Sequence, residues 1–169
     1  MPDSPYPPIR RVVTGHDKNS KAKVLIDGPA TNRKLPGPGA VSTLMWITDS
    51  MPCDMPIGEN AEDMGARIVG TPPPVNGTRF AVLEIPPGNT PAMHRTESID
   101  YVIVLAGEVE MDMDDSTVKL KAGDILIQRG TNHAWANRSN APAKIAVVLI
   151  DAKPLGIGHA VGRTESARA

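Results

Sequence analysis

A chain of 169 residues has the length of one domain, and 18 Lys plus Arg against 19 Asp plus Glu leave a net charge of -1, so no overall positive field exists to draw a nucleic-acid backbone. A single cysteine excludes an intramolecular disulfide. The absence of any run of about 18 apolar residues removes a membrane helix, and the opening "MPDSPYPPIRR" lacks the apolar stretch of a signal peptide.

These features lead to the expectation of a cytoplasmic protein with neither a nucleic-acid nor a membrane partner. Cys53, without a CxxC partner or a neighbouring histidine, reads as a structural thiol. Residues 1–9 read as a disordered segment, because their prolines cannot donate to a ladder. Seventeen prolines and fifteen glycines then cut the chain into pieces too short for ordinary helices. "RRVVTG", "KAKVLIDG" and "STLMWITD" carry strand chemistry. Residues 50–79 form a polar, Met- and Pro-rich excursion in which "NAEDMGAR" offers one or two helical turns.

Strand chemistry resumes in "TRFAVLEIPPG", "DYVIVLAGEVEMDMDD", "TVKLKAGDILIQRG", "HAWANRS" and "KIAVVLIDA". Many short strands at close spacing predict an all-β sandwich or barrel over residues 10–152, with no internal repeat and with 153–169 as a tail. In "EVEMDMDD", Val109, Met111 and Met113 share a core face, and the intervening acidic residues face solvent. His16 and His159 read as surface groups. A homodimer is expected, because "RRVVTG" and "STLMWITD" supply apolar edges that need covering.

The chemistry concentrates in "MHRTESIDY" and "QRGTNHAW". A period of two over residues 92–104 puts His94, Thr96, Ser98 and Asp100 on one side, with Arg95, Glu97 and Ile99 on the other. Four inward polar groups are costly unless a metal ion, a polar ligand or water satisfies them. After the turn at Gly130, His133 begins a new strand with Trp135 on its own face. Two imidazoles and one carboxylate suit Fe(II) with open coordination positions, and also hold Zn, Mn or Ni.

The spacing resembles the two motifs of the cupins, small metal-binding β-barrels. Gly88, His94, Asp100 and Gly107 keep the intervals of the first motif, with Thr96 in place of its second histidine and Asp100 in place of its glutamate. Gly123, Gly130, His133 and Asn137 approach the second motif, with Gln128 where a proline belongs and one residue fewer after Gly123. The resemblance implies a single antiparallel cupin barrel (a double-stranded β-helix, or jelly roll) with the early strands as N-terminal extensions. It also implies His94, Asp100 and His133 as ligands of a divalent metal, with Fe(II) favoured. Asp100 and His133 are then the candidate catalytic groups, and Thr96, Ser98, Gln128 and Trp135 the candidate substrate contacts. The expected activity is a dioxygenase acting on a small carbonyl, carboxylate or enol substrate. The alternatives are a non-oxidative lyase, decarboxylase or isomerase with Asp100 as base, and a non-catalytic small-molecule binder.

Overall fold

The computed structural model describes residues 6–35, 40–58 and 61–163. The described residues are almost wholly extended, as the density of Pro and Gly predicts. The strands are β1 (Arg10–His16), β2 (Ala22–Pro29), β3 (Arg33–Lys34), β4 (Val41–Thr48), β5 (Thr78–Ile85), β6 (Ser98–Ala106), β7 (Glu108–Asp112), β8 (Thr117–Lys121), β9 (Ile125–Arg129), β10 (Ala134–Ala136) and β11 (Ala143–Asp151). The helical turns expected in "NAEDMGAR" reduce to a 3-10 turn at Met64–Ala66.

A six-stranded sheet in the order β3-β4-β5-β11-β6-β9 faces a three-stranded sheet in the order β10-β7-β8, and β1-β2 stand apart as a hairpin. Every pairing is antiparallel. Ile85, Val102, Val104, Ile145, Val147 and Leu149 from the larger sheet meet Val109 and Leu120 from the smaller one in the main core. This is the expected all-β jelly-roll barrel with N-terminal strands added to it.

Two of the four corners at which the chain passes from one sheet to the other turn on tightly constrained glycines. Gly107 separates β6 from β7 with φ +71°, and a Cβ there would lie 2.5 Å from the carbonyl oxygen of Pro142. Only glycine meets both demands. The second of these, between β9 and β10, turns at Gly130 with φ +63° and leads directly to His133.

Some expectations need amendment. The strand predicted to start at residue 92 starts at Ser98, and His94 pairs with His133 as an isolated bridge. Arg95, expected to face away from the polar row, is buried, bonding Glu97 and the carbonyl oxygen of Ile157. Of the segment read as disordered, residues 1–5 lie outside the described residues. Ile9 accepts from the Ala30 amide and packs beside Met45, Val82 and Ala146. Within the tail, Leu155 and Val161 bond back to Glu97 and Arg95; residues 164–169 lie outside the described residues. β4 is no edge strand, since β5 pairs along it and β3 covers Ser42 and Thr43.

The larger apolar surface is a face. The outward positions of β6 and β9, namely Tyr101, Ile103, Leu105, Ile125 and Ile127, are 41–68% exposed. Cross-strand pairing sets Tyr101 beside Ile127 and Ile103 beside Ile125.

Gly107→Ala is expected to destabilise the protein by about 1–3 kcal/mol, combining a left-handed φ with a backbone clash. Gly28→Ala, where a Cβ meets nothing within 4 Å, should stay within about 0.5 kcal/mol of wild type. Urea denaturation of the two variants measures both.

Candidate functional site

Reciprocal backbone hydrogen bonds, each 2.9 Å, join His94 and His133 across the mouth of the barrel. Their rings stand 4.5 Å apart between centroids at an interplanar angle of 47°. In each ring Nδ1 lies 3.0 Å from the carbonyl oxygen two residues earlier, that of Ala92 for His94 and of Thr131 for His133. At His94 an N–H at Nδ1 donating to that carbonyl leaves the Nε2 lone pair free, the tautomer in which imidazole binds a metal; at His133 a second group, the donor nitrogen of the Gln128 amide, competes for the same Nδ1.

His133 is held more tightly than His94. Gln128 lays its amide along the same ring edge, with Nε2 2.7 Å from Nδ1 of His133 and 3.1 Å from the Thr131 carbonyl oxygen, while its Oε1 is buried without a partner. Trp135 meets the ring edge-on at 5.8 Å. Burial pushes the His133 imidazole down to about 4, and the nearby His94 pushes in the same direction.

The other half of the polar row is a relay of side chains. The Thr96 and Ser98 hydroxyls lie 2.7 Å apart, and Ser98 Oγ donates to Asp100 at 2.6 Å. All three are at most 4% exposed. Burial raises the Asp100 carboxyl to about 6, against the downward pull of the Ser98 hydrogen bond and the charges of His94 and Arg79.

Thr96, Ser98 and Asp100 thus share a face as the period of two predicts, and His94 and His133 converge. Among the described residues, however, no three His, Cys, Asp or Glu side chains come close enough to hold a metal ion. The carboxylate expected to complete the set terminates the hydroxyl relay instead. Of the expected substrate contacts, Ser98 donates to Asp100, Thr96 bonds the Ser98 hydroxyl, and Gln128 and Trp135 flank His133.

Asn137 plays a structural part: buried, it donates to the carbonyl oxygens of Ile85 and Ala141 and so staples the turn into β11. Sequence reasoning missed Arg79, an inward-facing guanidinium level with Asp100. The pairs Asp100–Leu149 and Leu149–Arg79 set the two charges in one row across three strands. The signal was an arginine in phase with Ala81 and Ile85.

The cupin domain family matches residues 81–149, from β5 to β11. The cupin-domain-containing oxidoreductase srdB of Neurospora crassa is 30% identical over 157 residues, covering 89% of this chain and 79% of its own. The chain belongs to the cupin superfamily. Phomopsin biosynthesis cluster protein C' of Diaporthe leptostromiformis is 38% identical over 121 residues, 68% of this cupin but 62% of that protein. This cupin therefore spans less than two thirds of that relative's length. The solved Cnp3 cupin domain of Schizosaccharomyces pombe shares the fold, with a TM-score of 0.51 at 14% identity over 86% of this chain and 89% of that one.

The two shifted groups oppose each other as pH changes. Asp100, raised from 3.8 to about 6, contributes stability that is full below 3.8 and lost as pH rises through 6. His133, lowered from 6.5 to about 4, contributes stability that is full above 6.5 and lost as pH falls through 4. In metal-free protein the slopes offset between these limits. Asp100→Asn should expose the His133 slope, losing about 3 kcal/mol on acidification from pH 6.5 to 4, while His133→Gln gains a similar amount. Urea unfolding across that window checks the signs; a wild type as acid-sensitive as Asp100→Asn contradicts the offset.

Proposed function

We propose that this cupin is a metal-dependent oxidoreductase acting on a small carbonyl, carboxylate or enol metabolite, with Fe(II)-dependent dioxygenation as the favoured chemistry. The observation that carries the reading is the convergence of the His94 and His133 imidazoles, whose ring centroids lie 4.5 Å apart. The relatives named as oxidoreductases support it. His94 and His133 would hold the ion, with Asp100 held apart from them on the Ser98 hydroxyl. A bound Fe(II) supplies open positions for substrate and dioxygen, whereas Zn, Mn or Ni supplies Lewis-acid polarisation.

The protein's own groups do the rest. Gln128 and Trp135 fix the His133 ring and keep water from its buried edge. Ser98 holds the Asp100 carboxyl in one orientation, with its proton exchanging near pH 6. That last feature favours a second reading, a lyase or isomerase in which Asp100 is the general base, since a carboxyl poised near the working pH is suited to moving a proton.

Elemental analysis of untagged protein separates these readings from a simple binder. Near-stoichiometric metal is expected in wild type and less than a tenth of it in His133→Ala, with oxygen uptake only in the wild type loaded with Fe(II). Oxygen-independent turnover assigns the second reading. A wild type that neither contains nor retains metal overturns the metal-dependent assignment and leaves a small-molecule binder.

For a macromolecular partner we propose a second copy of this chain, stacked on the outer face of β6 and β9. The exposed residues there offer on the order of 500 Å² of apolar surface, at the upper limit for a monomer. Phe80 and Val148 border the patch and extend it across β11 to β5, to on the order of 600 Å² against the roughly 800 Å² per partner of a standard interface. No charge interrupts the Tyr101–Ile127 and Ile103–Ile125 rows, so a twofold contact opposes no like charges. Sedimentation at micromolar concentration is expected to give twice the 18.0 kDa chain mass, and Ile125→Lys with Ile127→Lys a monomer. A monomeric wild type rules the dimer out.

A further inference from the structure

Arg79 is a buried cation with almost nothing bound to it. Its side of β5 faces the barrel interior, and the residue is 8% exposed. One hydrogen bond is made, from Nη2 to Ser42 Oγ at 3.1 Å, and Nε is buried without a partner. Among the described residues no carboxylate forms an ion pair with it. A guanidinium presents five donors in a planar fork, and a buried charge of this kind is costly unless an anion faces it.

Asp100 is the nearest candidate counter-ion inside the protein, yet it does not fill that role. Leu149 stands between them in the row, and Asp100 gives its hydrogen bonding to Ser98.

The space in front of the guanidinium is a small opening lined by Arg79, Lys34, Ser42, Asn32, Leu44 and Val69. Lys34 stands at its rim, its Nζ donating to the Val69 carbonyl oxygen. Burial, and after it the charge of Arg79, lower the affinity of that ammonium for its proton. Two cations and a hydroxyl around one opening, with two apolar side chains, an asparagine whose amide nitrogen is spent on the Gly65 and Arg67 carbonyl oxygens, and no acidic residue, make an oxyanion site.

We propose that the pocket between β3, β4 and β5 binds the oxyanion of a small molecule, a carboxylate or a phosphate, on Arg79, Ser42 and Lys34. The planar fork of Arg79 takes two oxygens and Lys34 adds a point charge at the rim. Identifying that molecule with the enzyme's substrate rests on the oxidoreductase reading, and would make the substrate an anion with its reacting end toward His94 and His133. The anion site itself does not depend on that reading.

The test is a titration of full-length protein with sodium phosphate and, separately, sodium acetate, followed through the arginine Nε–H resonances. Through-bond assignment in the wild type identifies Arg79, and Arg79→Met confirms it. A saturable shift of the Arg79 signal is expected with at least one probe and not with equal sodium chloride, weakened roughly fivefold in Lys34→Met. The same shift in His133→Ala separates the pocket from the metal site, whatever becomes of turnover. An unmoved Arg79 signal with both probes, an equal response to chloride, or a response lost in His133→Ala overturns the proposal. Acetate alone would assign a carboxylate ligand, and phosphate alone a phosphorylated one.

Discussion

The two backbone hydrogen bonds between His94 and His133 are the constraint on which the site depends. His94 belongs to the segment leading into the six-stranded sheet, and His133 to the segment leading into the three-stranded one. Neither residue lies within a regular ladder, so nothing else in the strand pairing would fix one imidazole relative to the other. The bridge closes the two sheets over the barrel mouth and sets both rings on its inner side. The Ala92 carbonyl then favours the His94 tautomer with Nε2 free, and the Thr131 carbonyl and Gln128 amide hold the His133 ring by its Nδ1 edge. Geometry and protonation thus follow from the same short loops.

Polarity inside the barrel is graded along β6. Val104 and Val102 lie in the apolar core, and Asp100 and Ser98 follow in the same inward phase toward the mouth. At that depth burial is strong enough to raise a carboxyl by about two units and to keep an imidazole neutral. The same dry surroundings keep the imidazole neutral and let the carboxyl hold its proton up to about pH 6. A cation entering the mouth would pull the Asp100 carboxyl back down and press the His133 imidazole further from protonation, and an anion would do the opposite, which couples occupancy of the site to the protonation of both groups.

Much of this was legible in the chain. Pro and Gly spacing marked the strands, and the glycines at 107 and 130 marked two of the corners. The alternation through Thr96, Ser98 and Asp100 gave the shared face of the relay. What alternation could not carry was β6 itself, where "YVIVL" is apolar on both phases: one side faces the core and the other remains open. Period two has no contrast to report there. Arg95 escaped for another reason, since its burial comes from the tail folding back across residues 95–97, a contact between segments some sixty residues apart. The hydroxyl bonds that turn Asp100 toward Ser98 were equally hidden, because spacing fixes a side of a strand and not a rotamer.

Arg79 shows what a sequence reading focused on histidines overlooks. In "TRFAVLEI" both phases are mostly apolar, so the arginine passes for an outward residue at a strand end. Register decides otherwise: pairing with Leu149, which pairs in turn with Asp100, puts it on the inner face. A chain that needed only a stable barrel would gain by replacing this guanidinium with a well-packed apolar residue, as removal of buried charges often stabilises. Its presence beside an opening without acidic groups is the physical reason to look for an anion there. The imidazole pair and the guanidinium lie on one inner surface, and a molecule spanning them would be oriented by charge at one end before meeting the imidazoles at the other.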